Sequence, residues 1–196
     1  VILSEGDEGE ILAKSPGMMS KFLFDPVATA AAHTADGRYR TGDIARREGE
    51  YYFILGRASV DIIKSGGYKI SALDIEREML GLTYVSEVMV IGVPDEEFGE
   101  RVAALVRTKD EREVMEIERH LLPKRLDLQR LRGDLKTRLA GYKMPTVLRV
   151  ITEEIPKSVT GKVEKKALGP KFFPPEKYHN LPEVEIWRKR ASLSKL

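Results

Sequence analysis

Four places in this chain join reactive or permissive residue types to a backbone that would present them. The first is Gly56-Arg57, at the end of an apolar run. A guanidinium there stands at the mouth of a strand, and its planar fork of donors suits a phosphate or a ribose. The second is Ser65-Gly66-Gly67, where missing side chains let another group approach the backbone closely. The third is Asp43, which follows Gly42. An aspartate there is ordinarily a turn residue; the alternative is a carboxylate with two acceptor oxygens for a ligand. The fourth is Lys162, behind Ser158-Val159-Thr160-Gly161. That loop is not a phosphate-cradling Walker loop, because the upstream glycine and the residues after the lysine do not fit. Its lysine is either solvent-facing or a point charge on a flexible stem.

Short strands and amphipathic helices must carry these residues. Ile44 to Arg47 and Tyr51 to Leu55 flank a turn at Glu48-Gly49-Glu50, so the spacing predicts a hairpin with Asp43 and Arg57 on adjacent strands. Ile62 and Ile63 read as a short strand. Ser71 with Asp74 three residues on predicts a helix start, with Leu73, Ile75, Met79 and Leu80 on one buried face. The plain structural alternative for this stretch is a surface hairpin leading into a core-packed helix. Val85 to Val93, Arg101 to Arg107 and Val147 to Ile151 read as strands. Leu128, Leu131, Leu135 and Leu139 recur at spacings of three and four, a helix that Gly141 ends and Pro145 cannot continue. Upstream, Gly9 to Leu12 is a strand candidate, Asp25-Pro26 opens a short helix, and Met18, Met19, Phe22, Leu23 and Phe24 read as core. Lys109 to Arg119 reads as a solvated charged face. The expected class is α+β, with two helices covering about three strands.

With 196 residues and 42% apolar content, the chain can fill one ordinary domain, or one small domain plus an appendage. Its 33% charged residues balance to +2, which argues against a dedicated nucleic-acid binder. There is no cysteine for disulfide or thiolate chemistry. His33, His120 and His179 lie too far apart for metal-ligand spacing, so no metal site is expected in this chain. No run approaches the roughly 20 apolar residues of a membrane span. From Gly169 onward, Pro170, Pro174, Pro175 and Pro182 suggest an extended connector, followed by a short helix around Trp187. Lys165 and Lys166 read as solvated.

Three stretches resemble a known family. YRTGD (39–43), GRASVDIIKSGGYKISALDIE (56–76) and PKSVTGK (156–162), in this order and spacing, resemble the C-terminal signature of the adenylate-forming superfamily. Within it, SVDIIKSGGYKISALDIE looks most like malonyl-CoA synthetases. The resemblance implies that residues 1–57 are the β-rich C-terminal end of a large AMP-binding domain. It implies that residues 58–168 are a small lid domain, and residues 169–196 a Pro-rich tail. The chain opens on Val1, and the family's phosphate loop and magnesium-binding glutamate are not among its residues. It is therefore expected to be the C-terminal part of a longer enzyme, inactive alone, with Mg2+ held elsewhere in that enzyme.

The implied reaction is that of an acyl-CoA synthetase. A carboxylate attacks ATP to give acyl-AMP and pyrophosphate, and the thiol of coenzyme A then displaces AMP. In the family the aspartate matching Asp43 accepts both ribose hydroxyls, with Arg57 beside it. The lysine matching Lys162 is catalytic in the first step, near the acyl carboxylate and the α-phosphate. Gly66 and Gly67 leave room for the pantetheine of coenzyme A in the second. The lid swivels just after Arg57. Most members place Asp or Lys there, whereas this chain has Ser59-Val60, with one extra residue before Asp61. Malonate is the acid the resemblance suggests; another short diacid or a medium-chain fatty acid is the alternative. A peptide-synthetase adenylation domain is a rival, and a stand-alone binding module is another from a different class. Ser194-Lys195-Leu196 reads as a peroxisomal signal recognised by an import receptor.

Overall fold

The computed structural model describes residues 4–110 and 125–188. Contacts divide the chain into two compact units, Val1–Ile62 and Ile63–Leu196.

The first unit is an antiparallel sheet of β1 (Glu8–Ala13), β2 (Tyr39–Glu48) and β3 (Tyr51–Arg57), in that order. Gly49 turns β2 into β3 with φ 60°, a left-handed conformation that suits glycine. Helix α1 (Pro26–Ala31) follows Asp25, whose Oδ1 accepts the Ala28 N–H at 2.8 Å. Pro26 occupies the first turn, where a missing N–H costs nothing. The apolar patch read as core lies on the surface instead: Met19, Phe22 and Leu23 are exposed, and Phe24 is 95% exposed. Three strands and a six-residue helix offer too little cover. Tyr51, Tyr52, Phe53 and Ile54 of β3 are exposed as well.

The second unit is α+β, as expected. Its six-stranded sheet is built on β6 (Val85–Asp95), β7 (Gly99–Thr108) and β8 (Val147–Ile151), the three apolar runs of the sequence. To these it adds β4 (Ile62–Ser65), β5 (Tyr68–Ser71) and β9 (Val184–Ile186). Strands β6 and β7 form a long antiparallel pair from Val85↔Thr108 to Asp95↔Gly99. Strands β7 and β8 run parallel, with Ala103 opposite Val147, which needs the long connection that contains α3 (Leu128–Leu135).

Successive residues of β7 point to opposite faces. Val102, Ala104 and Val106 join Ile75 and Met79 of α2 (Ala72–Leu80) and Leu131 and Leu135 of α3. Ala103 and Leu105 join Met89, Ile91, Ile155, Leu168, Phe173 and Tyr178. Cover on both faces is why β6 and β7 read as continuous apolar runs rather than alternating ones. Each fully buried large side chain contributes about 1.5–3 kcal/mol. Helix α2 starts as predicted, with Ser71 Oγ accepting the Asp74 N–H at 3.2 Å. It buries Ile75 and Met79, while Leu80 faces solvent. The stripe Leu128, Leu131, Leu135 and Leu139 is buried throughout.

The segment after Gly169 is not an extended connector. Helix α4 (Lys165–Phe172) runs through Pro170, and Phe173 and Tyr178 are buried in the second core. The short helix expected around Trp187 is strand β9, paired antiparallel with β8 through Val147↔Ile186 and Arg149↔Val184. Without it, one side of β8 would keep unpaired N–H and C=O groups, and Val184 and Ile186, two apart, share a face that suits a strand. Trp187 lies against the body: its backbone N–H donates to Thr146 O at 2.8 Å, and the Arg132 guanidinium sits 4.4 Å above its ring. Of the charged stretch from Lys109 to Arg119, residues 111–119 lie outside the described residues.

Candidate active site

In the first unit the β2–β3 register puts Asp43 directly opposite Arg57. Arg57 Nε donates to Asp43 Oδ1 at 3.2 Å, with the two side chains 65% and 36% exposed. The carboxylate therefore faces open space with one oxygen engaged. Its backbone is fixed from several sides. Thr41 Oγ1 accepts the Asp43 N–H at 3.0 Å and donates to Ile11 O at 2.9 Å. Glu10 accepts the Gly42 N–H at 3.1 Å and pairs with Arg40 at 3.0 Å.

Arg57 is placed by a group that sequence reasoning passed over. The carboxylate of Asp61, nearly buried, accepts the Arg57 N–H at 2.9 Å. A Cβ on Gly56, at φ 124°, would come within 2.4 Å of Asp61 Cβ. Glycine is required there by close approach as well as by conformation. The sequence carried no signal for this, because the contact of Asp61 with Gly56 and the Arg57 N–H exists only once the turn has formed. Ser59 and Val60, the expected swivel, lie in the turn of residues 58–61. There the Val60 and Asp61 N–H groups both donate to Arg57 O, at 3.2 and 2.8 Å.

In the second unit Gly66 and Gly67 form the turn between β4 and β5, with φ 56° and 85°. The Gly66 N–H donates to Phe98 O at 2.9 Å. A Cβ on Gly67 would meet nothing within 4 Å, so the backbone conformation asks for glycine and the space beside it is open. The neighbouring Gly66 borders a groove of about 610 Å3, together with Tyr68, Phe98, Arg101, Tyr142 and Trp187. Tyr68 and Tyr142 stack with centroids 4.4 Å apart. Arg101 is held at the rim by Asp95 and lies 4.9 Å over the Phe98 ring. Burial, the largest influence on the Asp95 carboxyl, pushes its pKa up. Hydrogen bonds from Arg101 and from the Phe98 and Glu97 amides outweigh burial and hold it below the ordinary 3.8.

Lys162 stands on a closed turn. A bridge pairs Lys157 with Val163, the Ser158 N–H donates to Lys162 O at 2.8 Å, and the Gly161 N–H donates to Ser158 O at 2.8 Å. Ser158 Oγ also bonds Thr160 Oγ1 at 2.9 Å. The Lys162 side chain is exposed and has no ion-pair partner among the described residues. Lys165, read as solvated, is instead paired with Glu76 at 2.8 Å, with side chains 11% and 14% exposed. Its partner lies on α2, far away in sequence, which is why the run of lysines misled. Lys166 is exposed. The structure thus brings Asp43 to Arg57 and Gly66 to Gly67, and puts Lys162 on a separate turn of the second unit. Ser194, Lys195 and Leu196 lie outside the described residues.

Residues 74–162 match the AMP-binding enzyme C-terminal domain. Over 170 residues the chain is 41% identical to the malonate-CoA ligase ACSF3, mitochondrial, of Xenopus laevis, covering 87% of this chain and 27% of that one. The human protein of the same description gives 41% over 170 residues with the same coverage. ATP-bound MatB from Rhodopseudomonas palustris superposes with a TM-score of 0.71 at 29% identity, covering 87% of this chain and 31% of that one. The chain spans less than a third of the length of these proteins. The mitochondrial description of these ligases overturns the peroxisomal expectation drawn from Ser194, Lys195 and Leu196, and with it the import receptor as partner. A terminal tripeptide is an address read by a receptor from three side chains, whereas the likeness to the mitochondrial ligases runs through most of the chain.

Proposed function

We propose that this chain is the lid-bearing C-terminal part of an ATP-dependent acyl-CoA synthetase whose acid is malonate. The observation that carries the reading is the exposed Lys162 ammonium, without an ion-pair partner among the described residues, on a hydrogen-bonded turn at the end of the matched stretch. In this reading residues 1–57 close the large AMP-binding domain. The exposed Phe24, Tyr51 and Ile54 support that, since a larger domain would cover them. Residues 58–168 are the lid, and the described part of the segment from 169 packs on it.

The chemistry follows from charge. Joining a carboxylate to an α-phosphate brings two anions together and builds negative charge on the transferring group. Lys162 supplies a compact cation to that charge. Asp43 takes the ribose diol with its two oxygens, and Arg57 stands beside it. In the second step the open space beside Gly67, next to Gly66, admits pantetheine, and the thiol of coenzyme A displaces AMP. One domain serves both steps by presenting different faces, turning about residues 58–61, where Ser59 and Val60 lie. Mg2+, which ATP chemistry implies, finds no group of three or more histidine or acidic ligands among the described residues. The steps here run through this chain's own side chains.

Malonate is supported by the names of the relatives. The test is acid-dependent exchange of labelled pyrophosphate into ATP by the full-length ligase. Malonate should support exchange and, with coenzyme A, yield malonyl-CoA and AMP. Exchange with a medium-chain fatty acid and none with malonate would refute the substrate. Exchange with no acid at all would refute the reaction class.

A further inference from the structure

A lysine that must meet developing charge is useful only if its turn is delivered to one place. Two carboxylates grip the two legs of this turn. On the incoming leg, Glu87 of β6 accepts the Ile155 N–H at 3.0 Å through Oε2 and holds the Lys157 ammonium at 3.2 Å through Oε1. On the outgoing leg, Glu76 of α2 holds the Lys165 ammonium at 2.8 Å, and the same oxygen accepts the Val90 N–H at 2.7 Å. Val90 and Glu87 belong to one strand, so both grips are referred to β6. Between them the chain closes on itself through Lys157↔Val163 and presents Lys162.

We propose that Glu87 and Glu76 are positioning residues for adenylation, acting through the backbone of the Lys162 turn. The inference rests on the assignment of Lys162 to the first half-reaction. Neither glutamate is placed to touch substrate. What each does is fix one end of a short loop with a directional pair. A misplacement of about 1 Å at a reacting group can cost on the order of a hundredfold in rate. Loss of one grip with the other intact should cost less, about tenfold.

The test uses the full-length ligase with Glu87→Gln, Lys157→Met, Glu76→Gln and Lys165→Arg. Glu87→Gln keeps an acceptor for the Ile155 N–H. Lys157, 43% exposed, can be replaced without opening the core. Pyrophosphate exchange reads adenylation, and conversion of supplied malonyl-adenylate with coenzyme A reads the second step. Glu87→Gln and Lys157→Met should each slow exchange about tenfold in kcat, with the KM for ATP and the thioester step unchanged. Glu76→Gln should behave likewise, whereas Lys165→Arg, which keeps the ion pair with Glu76, should leave exchange near the wild-type rate. On a Lys162→Ala background, Glu87→Gln should add no further loss, because it acts only through that lysine. Equal slowing of both half-reactions, an additive loss on Lys162→Ala, or unchanged exchange in Glu87→Gln and Lys157→Met would overturn the proposal while leaving Lys162 its role. Intact exchange in Lys162→Ala itself would overturn both.

Discussion

Replacing Asp43 by alanine separates its part in nucleotide binding from its part in the fold. In the structure the carboxylate makes one ion pair at 3.2 Å, to a guanidinium that is 65% exposed. Such exposed pairs contribute about 0–1 kcal/mol. The backbone around it is held independently, by Thr41 Oγ1 on the Asp43 N–H and by Asp61 on the Arg57 N–H. Asp43→Ala should therefore lower the melting midpoint by a few degrees at most. Binding is a different matter. A ribose diol would lose its charge-assisted contact with the carboxylate, about 1.5–3 kcal/mol. That is a factor of about 10 to 150 in kcat/KM for ATP, at 1.4 kcal/mol per decade. The AMP ribose stays bound through both steps, so thioester formation from supplied acyl-adenylate should weaken too. Asp43→Asn keeps one acceptor oxygen and should recover part of the loss. Steady-state kinetics for ATP, half-reaction assays and thermal melts on one preparation decide it. Unchanged kcat/KM for ATP in a folded Asp43→Ala enzyme would refute the reasoning, as would a loss of stability as large as the loss of binding.

Gly56→Ala should destabilise the first unit by about 3 kcal/mol, through a strained backbone and a collision with Asp61; a shift in the urea midpoint equivalent to less than about 1 kcal/mol would show that the turn yields easily. Gly67→Asn tolerates the left-handed backbone better than leucine or alanine, so it should keep pyrophosphate exchange and lose thioester formation; loss of both would place the glycine in a common site. The Asp95 carboxyl titrates below its ordinary 3.8, so the folded state favours its ionised form. Its stability is fully present above that value and is lost as pH falls through the depressed one. Urea unfolding followed below about pH 4 should therefore show a shallower pH slope for Asp95→Asn than for the wild type, and equal slopes would remove Asp95 from the account.

Local chemistry was legible in the sequence and distant pairing was not. Ser71 and Asp74 announced the start of α2, because a cap is a contact across three residues. The leucines of α3 announced a buried stripe for a similar reason. The runs that became β6, β7 and β8 were legible because strands covered on both faces are apolar without interruption. The burial of Phe173 and Tyr178 could not be read, because the prolines around them suit an extended chain as well as a packed one. Arg57 and Asp43 were legible as candidates, but Asp61 was taken only as a landmark for the swivel. Its burial depends on the missing side chain of Gly56. Glu76 and Glu87 drew no reading from the sequence, because the partners that give them a role, Lys165, Lys157 and Ile155, are brought to them only by the fold.

The three residues of β9 also act as an internal competitor. Strand β8 presents Val-Leu-Arg-Val-Ile, a sequence that would readily recruit an extended segment from a neighbouring molecule. Val184 to Ile186 occupies that place from within the same chain, where its effective concentration exceeds that of any neighbour. The occupation is short: β9 covers Val147 to Arg149 and does not reach Val150 and Ile151. A chain cut after Asn180 would lose the competitor and keep the strand. Such a molecule would self-associate through β8 in a concentration-dependent way, and an added peptide carrying Val184 to Trp187 would dissolve the association.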